Sequence, residues 1–339
     1  MPPSILLVKT SSLGDVVHNL PVVSDLRAAF PDAVIDWIVE GAFDVIPKLH
    51  PEVRHVYPCA LRRWRRSLLR RESRDEIHEL KTHLAGTRYD AIIDTQGLLK
   101  SALVGRLAAG THHGLDWRSS REPLGWLYER TWSVPWGQHA VQRNRRLASL
   151  ALGYALPSAL DYGIRAPGFP PAETDDDSPV DEQTPWGEHE NRYAWAPEAP
   201  YAVLFHSTSN DAKCWPEPQW KKLIATLQGE GVAAILPWGN GEERERARRI
   251  AKGLPRAFVP PRLGLRTIAG LLGTARLCVG VDTGLTHLAA ALGRPTVGIY
   301  VSTNPEATGV LAPGNGANVG SGDGAPPLGN VMAAIRSVW

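Results

Sequence analysis

The feature that most constrains this chain is a repeated alternation of short apolar runs with segments whose apolar positions recur at helical spacing. The first half reads SILLVK, VVSDLRAAF, AVIDWIV, then YDAIIDTQ followed by LLKSALVGRLA. After residue 200 the pattern restarts with YAVLFH, PQWKKLIATLQ, VAAILPW, EERERARRIAKGL, RTIAGLLG, ARLCVGVD, TGLTHLAAALG and TVGIYV. Apolar runs of roughly four to eight residues mark strands buried on both faces. Parallel neighbours in a sheet must be joined by crossovers, so strands alternating with helices predict an α/β fold with parallel sheets.

At 339 residues, 43% of them hydrophobic, the chain is too long for one ordinary core. It suits two domains of about 150 residues each. The expected division is 1–165 for the first domain, 166–200 for a linker or insertion, 201–325 for the second domain and 326–339 for a closing helix. Residues 166–200 are crowded with Pro, Asp, Glu and Gly and have no apolar period. The triple aspartate at 175–177 sits on that segment, which lacks the rigid support that a catalytic metal needs. The tail at 308–327 is rich in Gly and Pro.

Charge is nearly balanced, 37 basic against 35 acidic residues, so electrostatic function must be local. Cys59, Cys214 and Cys278 are odd in number, widely spaced and never paired as Cys-x-x-Cys, which points to a reducing cytosol. No secretory leader is expected. No apolar run approaches the roughly 18 residues that span a bilayer, so membrane contact is expected to be peripheral. HELKTH at 78–83 lacks the zinc-protease spacing, GNG lacks the later glycine of a dinucleotide fingerprint, and no Gly-x-Ser-x-Gly elbow is present.

Chemistry-bearing residues gather where strands give way to turns. Asp282, Thr283 and Gly284 join a strand to a helix, with His287 one turn on; free N–H groups and the helix dipole there can cradle a diphosphate, or Asp282 and Thr283 simply cap the helix. Ser207, Thr208, Ser209 and Lys213 follow YAVLFH and suit phosphate binding or an ordinary cap. Glu243 can accept from ribose hydroxyls or belong to a solvated helix face. Near the start, Ser11 and Ser12 precede Asp15, a candidate general base or a plain helix-start aspartate. Arg62, Arg63, Arg65 and Arg66, with Arg70, Arg71 and Arg74, surround Trp64; guanidinium forks match phosphates and carboxylates, and Trp64 suits a lipid interface, while a solvated basic helix is the alternative. Lys100, Arg121 and Arg143 can extend this basic surface.

Taken together, KTSSLGDVVH at 9–18, RRWRR at 62–66, DTQGLLKSA at 94–102, HGLDWRSSREP at 113–123, AKCWPE at 212–217, LPWG at 236–239 and VDTGLTHLAAAL at 281–292 resemble the lipopolysaccharide heptosyltransferases of glycosyltransferase family 9. The resemblance is strongest to the type that adds the first heptose. It implies a GT-B fold, two Rossmann-like domains with parallel sheets facing across an interdomain cleft. It also implies inverting transfer of heptose from ADP-heptose to the Kdo of Kdo-lipid A, without a metal or other cofactor. By this resemblance Asp15 is the base, and Thr208, Ser209, Lys213, Glu243, Asp282, Thr283, Gly284 and His287 hold the donor. Ser11, Ser12, Arg62, Arg63, Arg65, Arg66, Lys100, Arg121 and Arg143 face the acceptor. The protein would be cytoplasmic, in peripheral contact with the cytoplasmic face of the inner membrane, with no nucleic-acid partner. Ser209, Ala212 and the turn YVSTNP at 300–305 depart from the residues usual in the family. A later-acting core heptosyltransferase, a GT-B nucleotide-sugar epimerase and a basic binding module are the competing expectations.

Overall fold

The computed structural model describes residues 2–67, 70–171, 193–198 and 200–339. The triple aspartate and most of the expected linker lie outside those residues. The chain divides into two compact units, Met1–Ile164 and Arg165–Trp339.

In the first unit β1 (Ser4–Val8), β2 (Val34–Glu40), β3 (His55–Cys59), β4 (Arg88–Asp94), β5 (Ala109–Leu115) and β6 (Arg130–Trp132) form one sheet in the order 3-2-1-4-5-6. In the second, β7 (Tyr201–Phe205), β8 (Ala233–Ile235), β9 (Ala257–Phe258), β10 (Leu277–Val281), β11 (Thr296–Ile299) and β12 (Gly316–Val319) form another in the order 12-11-10-7-8-9. Every pairing is parallel. The first unit's helices are α1 (Leu13–Val17), α2 (Leu20–Ala29), α3 (Val45–Lys48), α4 (Leu61–Ser67), α5 (Arg71–Ala85), α6 (Leu99–Gly105) and α7 (Ala140–Leu152). The second contributes α8 (Glu217–Gly229), α9 (Gly241–Ala251), α10 (Leu265–Thr274), α11 (Gly284–Ala291), α12 (Pro305–Thr308) and α13 (Leu328–Val338).

Both sheets therefore reverse their winding beside a central strand, between β1 and β4 in the first and between β7 and β10 in the second. Loops leaving the carboxyl ends of such neighbours diverge to opposite faces and open a crevice, the usual ligand position in open α/β sheets. β7 and β10 are buried along their whole length and β1 from Ile5 onward, as their apolar runs require, while β4 is buried toward its carboxyl end.

Within the Gly- and Pro-rich tail, Gly316–Val319 pairs in register with β11 as an edge strand. Its sequence GANV carries no apolar run; Asn318 fixes it by bonding both the N–H and the carbonyl of Val310 at 2.9 Å. Residues 166–168, expected in the linker, instead press on α10: a Cβ at Gly270 would meet the carbonyl of Gly168 at 2.6 Å, and one at Gly273 would meet the Ala166 methyl at 2.4 Å. Phe169 sits edge-on to Tyr193, with ring centres 5.5 Å apart, and so joins the two ends of the segment outside the described residues.

A buried ion pair pins α7 to α2. Arg145 grips Asp25 through two bonds of 2.8 and 2.9 Å and donates further to the carbonyls of Pro157 and Ala159. Removing one partner of such a pair strands the other charge without solvent. Arg145→Met is expected to cost about 3–5 kcal/mol in urea unfolding. Arg71→Met, which removes a pair 90% and 69% exposed, should leave the midpoint unchanged.

Candidate active site

In the second unit the crevice is built from three loops that meet on one carboxylate. After β7 the chain runs through Thr208 and Ser209 into a short turn, Asp211–Lys213, capped by the Asn210 side chain. That turn aims Lys213 across the winding reversal, where Nζ lies 2.7 Å from Oδ2 of Asp282 at the end of β10. The same oxygen accepts from Thr303 Oγ1 at 3.0 Å, on the loop after β11. His287 Nε2 stands 3.6 Å from the other oxygen, Oδ1. Burial alone would raise the Asp282 pKa, but His287 and Lys213 outweigh it and hold the carboxylate well below its ordinary range.

Thr283 is the N-cap of α11 in extended conformation, and its side chain makes no cap bond. The N–H groups of Gly284 and Leu285 have no partner among the described residues, leaving two donors and the positive helix end beside Lys213. Gly280 sets the depth of this tip. A Cβ there would meet Thr286 Oγ1 at 2.1 Å, and Thr286 bonds back to the carbonyl of Val281 at 2.8 Å. The hydroxyls of Thr208 and Ser209 are likewise uncommitted among the described residues. Ser207 is not available, since its hydroxyl pairs with the buried His206 at 2.7 Å. At the start of α9 the Asn240 side chain accepts the Glu243 N–H at 3.0 Å, and Glu243 accepts the Gly239 N–H at 2.7 Å through one oxygen, leaving the other without a partner among the described residues.

In the first unit the corresponding crevice lies between β1 and β4. Gln96 clamps the turn after β1 by accepting from Thr10 N at 2.7 Å and Ser11 N at 3.2 Å while donating to the Ser11 carbonyl at 2.6 Å. Gly97, at φ +65°, lets the chain fold back so that its N–H and that of Gln96 both reach Asp94 Oδ1. Lys100 reaches Ser11 Oγ at 2.7 Å. Asp15 is a helix-start residue, accepting from Ser12 N and Oγ at 2.8 and 2.9 Å through Oδ2, and its Oδ1 has no partner among the described residues. Beneath it lies Lys9, buried and bonded to the Thr95 carbonyl at 2.9 Å. Burial draws the Lys9 ammonium below its ordinary pKa, Asp15 and Asp94 oppose this, and Arg121 and Arg143 add to it.

The basic cluster is only partly a free surface. Trp64 is 5% exposed and packs in the core against Leu80 and Leu84, with its indole N–H on Glu76 at 2.7 Å; the lipid-interface expectation for it is wrong. The error arose because arginines at neighbouring positions mask the one inward position of a short helix. Arg63 is paired with Glu76 at 2.5 Å, and Arg62 lies over the Phe43 ring. Arg65 and Arg66 are exposed, with no ion-pair partner among the described residues. Arg121 is exposed too. Arg143 stacks on Trp136 and donates to the carbonyls of Ser119 and Pro135, tying two loops together. Lys9, Gln96 and Thr303 were not singled out in the sequence; the first two sit inside the KTSSLGD and DTQGLLK motifs, which were the available signal. A cavity of about 630 Å³ beside α7, lined by Gln138, His139, Gln142 and Arg146 among others, contains none of the expected site residues.

The family model for glycosyltransferase family 9 (heptosyltransferase) matches residues 77–326. Lipopolysaccharide heptosyltransferase 1 of Pseudomonas aeruginosa is 44% identical over 308 residues, covering 90% of this chain and 80% of that protein. The structure of E. coli heptosyltransferase WaaC with ADP superposes with a TM-score of 0.85 at 37% identity, covering 99% of this chain and 100% of that one. WaaC with ADP-2-deoxy-2-fluoro heptose gives 0.79 at 37% identity, over 98% of each chain.

The depressed Asp282 pKa fixes a pH signature. Its contribution to stability is present above the ordinary carboxylate value and is lost as pH falls from there toward the folded value. Lys213→Met should therefore cost about 1–3 kcal/mol at neutral pH, and the gap to the parent should shrink below about pH 4. Denaturant unfolding across pH checks this; a gap that widens in acid would contradict it.

Proposed function

Because this chain belongs to glycosyltransferase family 9, the heptosyltransferases, we propose that it moves heptose from ADP-heptose onto the Kdo residue of Kdo-lipid A, adding the first heptose of the lipopolysaccharide inner core. The observation that carries the reading is the pairing of Lys213 with Asp282 beside the unsatisfied N-terminus of α11, at the winding reversal of a GT-B half. An incoming diphosphate offers Lys213 a stronger anion and takes the N–H groups of Gly284 and Leu285. Asp282, released, can accept a sugar hydroxyl with His287 beside it. Thr208 and Ser209 add hydroxyl donors, and the open oxygen of Glu243 suits the ribose.

The reaction is read as one inverting displacement. The acceptor hydroxyl attacks the anomeric carbon, its proton passes to Oδ1 of Asp15, and the bond to the diphosphate breaks as ADP leaves. Charge gathering on ADP is met by the Lys213 ammonium and the helix tip, so no metal is called for. Ser11, Ser12 and Lys100 frame the acceptor side, and Arg62, Arg63, Arg65, Arg66, Arg121 and Arg143 face its phosphates and carboxylates, with Arg65, Arg66 and Arg121 the most available. A lipid-borne acceptor implies peripheral contact with the cytoplasmic face of the inner membrane.

The test is ADP release by purified protein from ADP-heptose and deacylated Kdo-lipid A in the presence of a chelator. Activity should persist; abolition by the chelator that added metal reverses would overturn the metal-independent part. Asp15→Asn should bind ADP-heptose as the parent does and lose roughly 10²–10⁴-fold in turnover. Near-normal turnover would remove Asp15 from the role of base.

A further inference from the structure

Among the described residues six large apolar side chains stand exposed, and five of them, Leu99, Leu103, Trp117, Trp126 and Trp136, fall in one stretch of the first unit. Trp126 is 76% exposed and Trp117 66%. They are held by one connected set of loops. Leu99 and Leu103 share a face of α6, one helical turn apart. The adjoining flank of α6 packs through Ala102 against Leu124, Leu127 and Tyr128, the turn that carries Trp126. The Leu99 N–H bonds Glu122 at 2.6 Å, and the Trp136 indole bonds the Arg118 carbonyl at 2.7 Å, so the 116–124 loop joins both ends of the patch.

The charge around these indoles has one sign outward. Arg118 lies over Trp117 at 4.8 Å and Arg143 over Trp136 at 4.1 Å, with Arg121 exposed between them in sequence. The nearby carboxylates are turned onto the backbone instead, Asp116 to Ser119 N at 2.8 Å and Glu122 to Leu99 N. No ion pair covers Arg118, Arg121 or Arg143 among the described residues. Exposed indoles and leucines, two of the indoles covered by a guanidinium without an ion-pair partner among the described residues, match a bilayer surface, where rings settle at the headgroup level and arginines meet lipid phosphates. A protein groove would be expected to take a single regular element, and these side chains project from a helix, a turn and two loops.

We propose that this face, led by Leu103, Trp117 and Trp126, docks the chain on an anionic phospholipid bilayer. It deepens the reading of a lipid-borne acceptor given above, and it replaces Trp64, which is buried, as the membrane-facing aromatic element.

The experiment is co-sedimentation of the full chain with phosphatidylcholine vesicles, with and without about one third phosphatidylglycerol. The comparison is a triple variant, Leu103→Ser, Trp117→Ser and Trp126→Ser, all exposed positions outside the proposed binding residues. The parent should bind the anionic vesicles in a salt-sensitive manner, and the variant about tenfold less or weaker still, with an unchanged far-UV spectrum. ADP release with deacylated acceptor should be equal for both proteins, and release with vesicle-embedded acceptor should fall only in the variant. Equal vesicle binding by the two proteins, or none by the parent, would overturn the proposal. So would a change of oligomeric state in the variant, which would make the face a self-association surface. Intact, variant-sensitive vesicle binding without sugar transfer in any sample would remove the proposed function and leave the docking face standing.

Discussion

The contact between the Lys213 ammonium and the Asp282 carboxylate organises the chemistry-bearing end of the second unit. Three loops from three different strands converge on it. A carboxylate this far from solvent is costly unless it is satisfied, and Asp282 is satisfied only when Lys213, Thr303 and His287 are all in place. The loops are thereby held in one arrangement before any ligand arrives. In the reaction proposed above, a diphosphate at Lys213 would replace one anion by another, so the ammonium would never be left without a counter-charge.

The first unit does the same task with hydrogen bonds to neutral partners. Gln96 supplies one acceptor and one donor to the turn after β1, and Asp94 folds its own loop back through Ser101, Tyr128 and two backbone N–H groups. Burial pushes Asp94 upward in pKa against those bonds. The result is a rigid seat for Asp15 with one oxygen left over. Lys9 lies under it, where neighbouring acidic and basic side chains pull its proton affinity in opposite directions.

Much of this was legible because central parallel strands announce themselves: SILLV, YAVLF and LCVGV are unbroken apolar runs that end where the functional loops begin. Asp15, Lys213, Asp282 and Thr283 stand at those ends, so locating the strands locates them. What stayed hidden depends on partners far along the chain. The strand Gly316–Val319 is defined by backbone bonds to β11 and by Asn318, not by its own hydrophobicity. Thr303 matters only because Asp282 is opposite it, and Lys9 only because Thr95 and Asn144 wrap its side chain. Trp64 misled for a related reason: in a seven-residue helix with four arginines, one inward position leaves too little period to read.

That same tryptophan has a mechanical effect. Suspended from Glu76 and wedged among Leu80 and Leu84, Trp64 gives α4 a single rotational setting about its own axis. Arg65 and Arg66 on its outer side are thus presented at a fixed bearing, like teeth on a clamped rack. An anionic molecule meeting them finds a surface whose ordering entropy was already spent when the chain folded, and its geometry, more than its total charge, decides how well it is held.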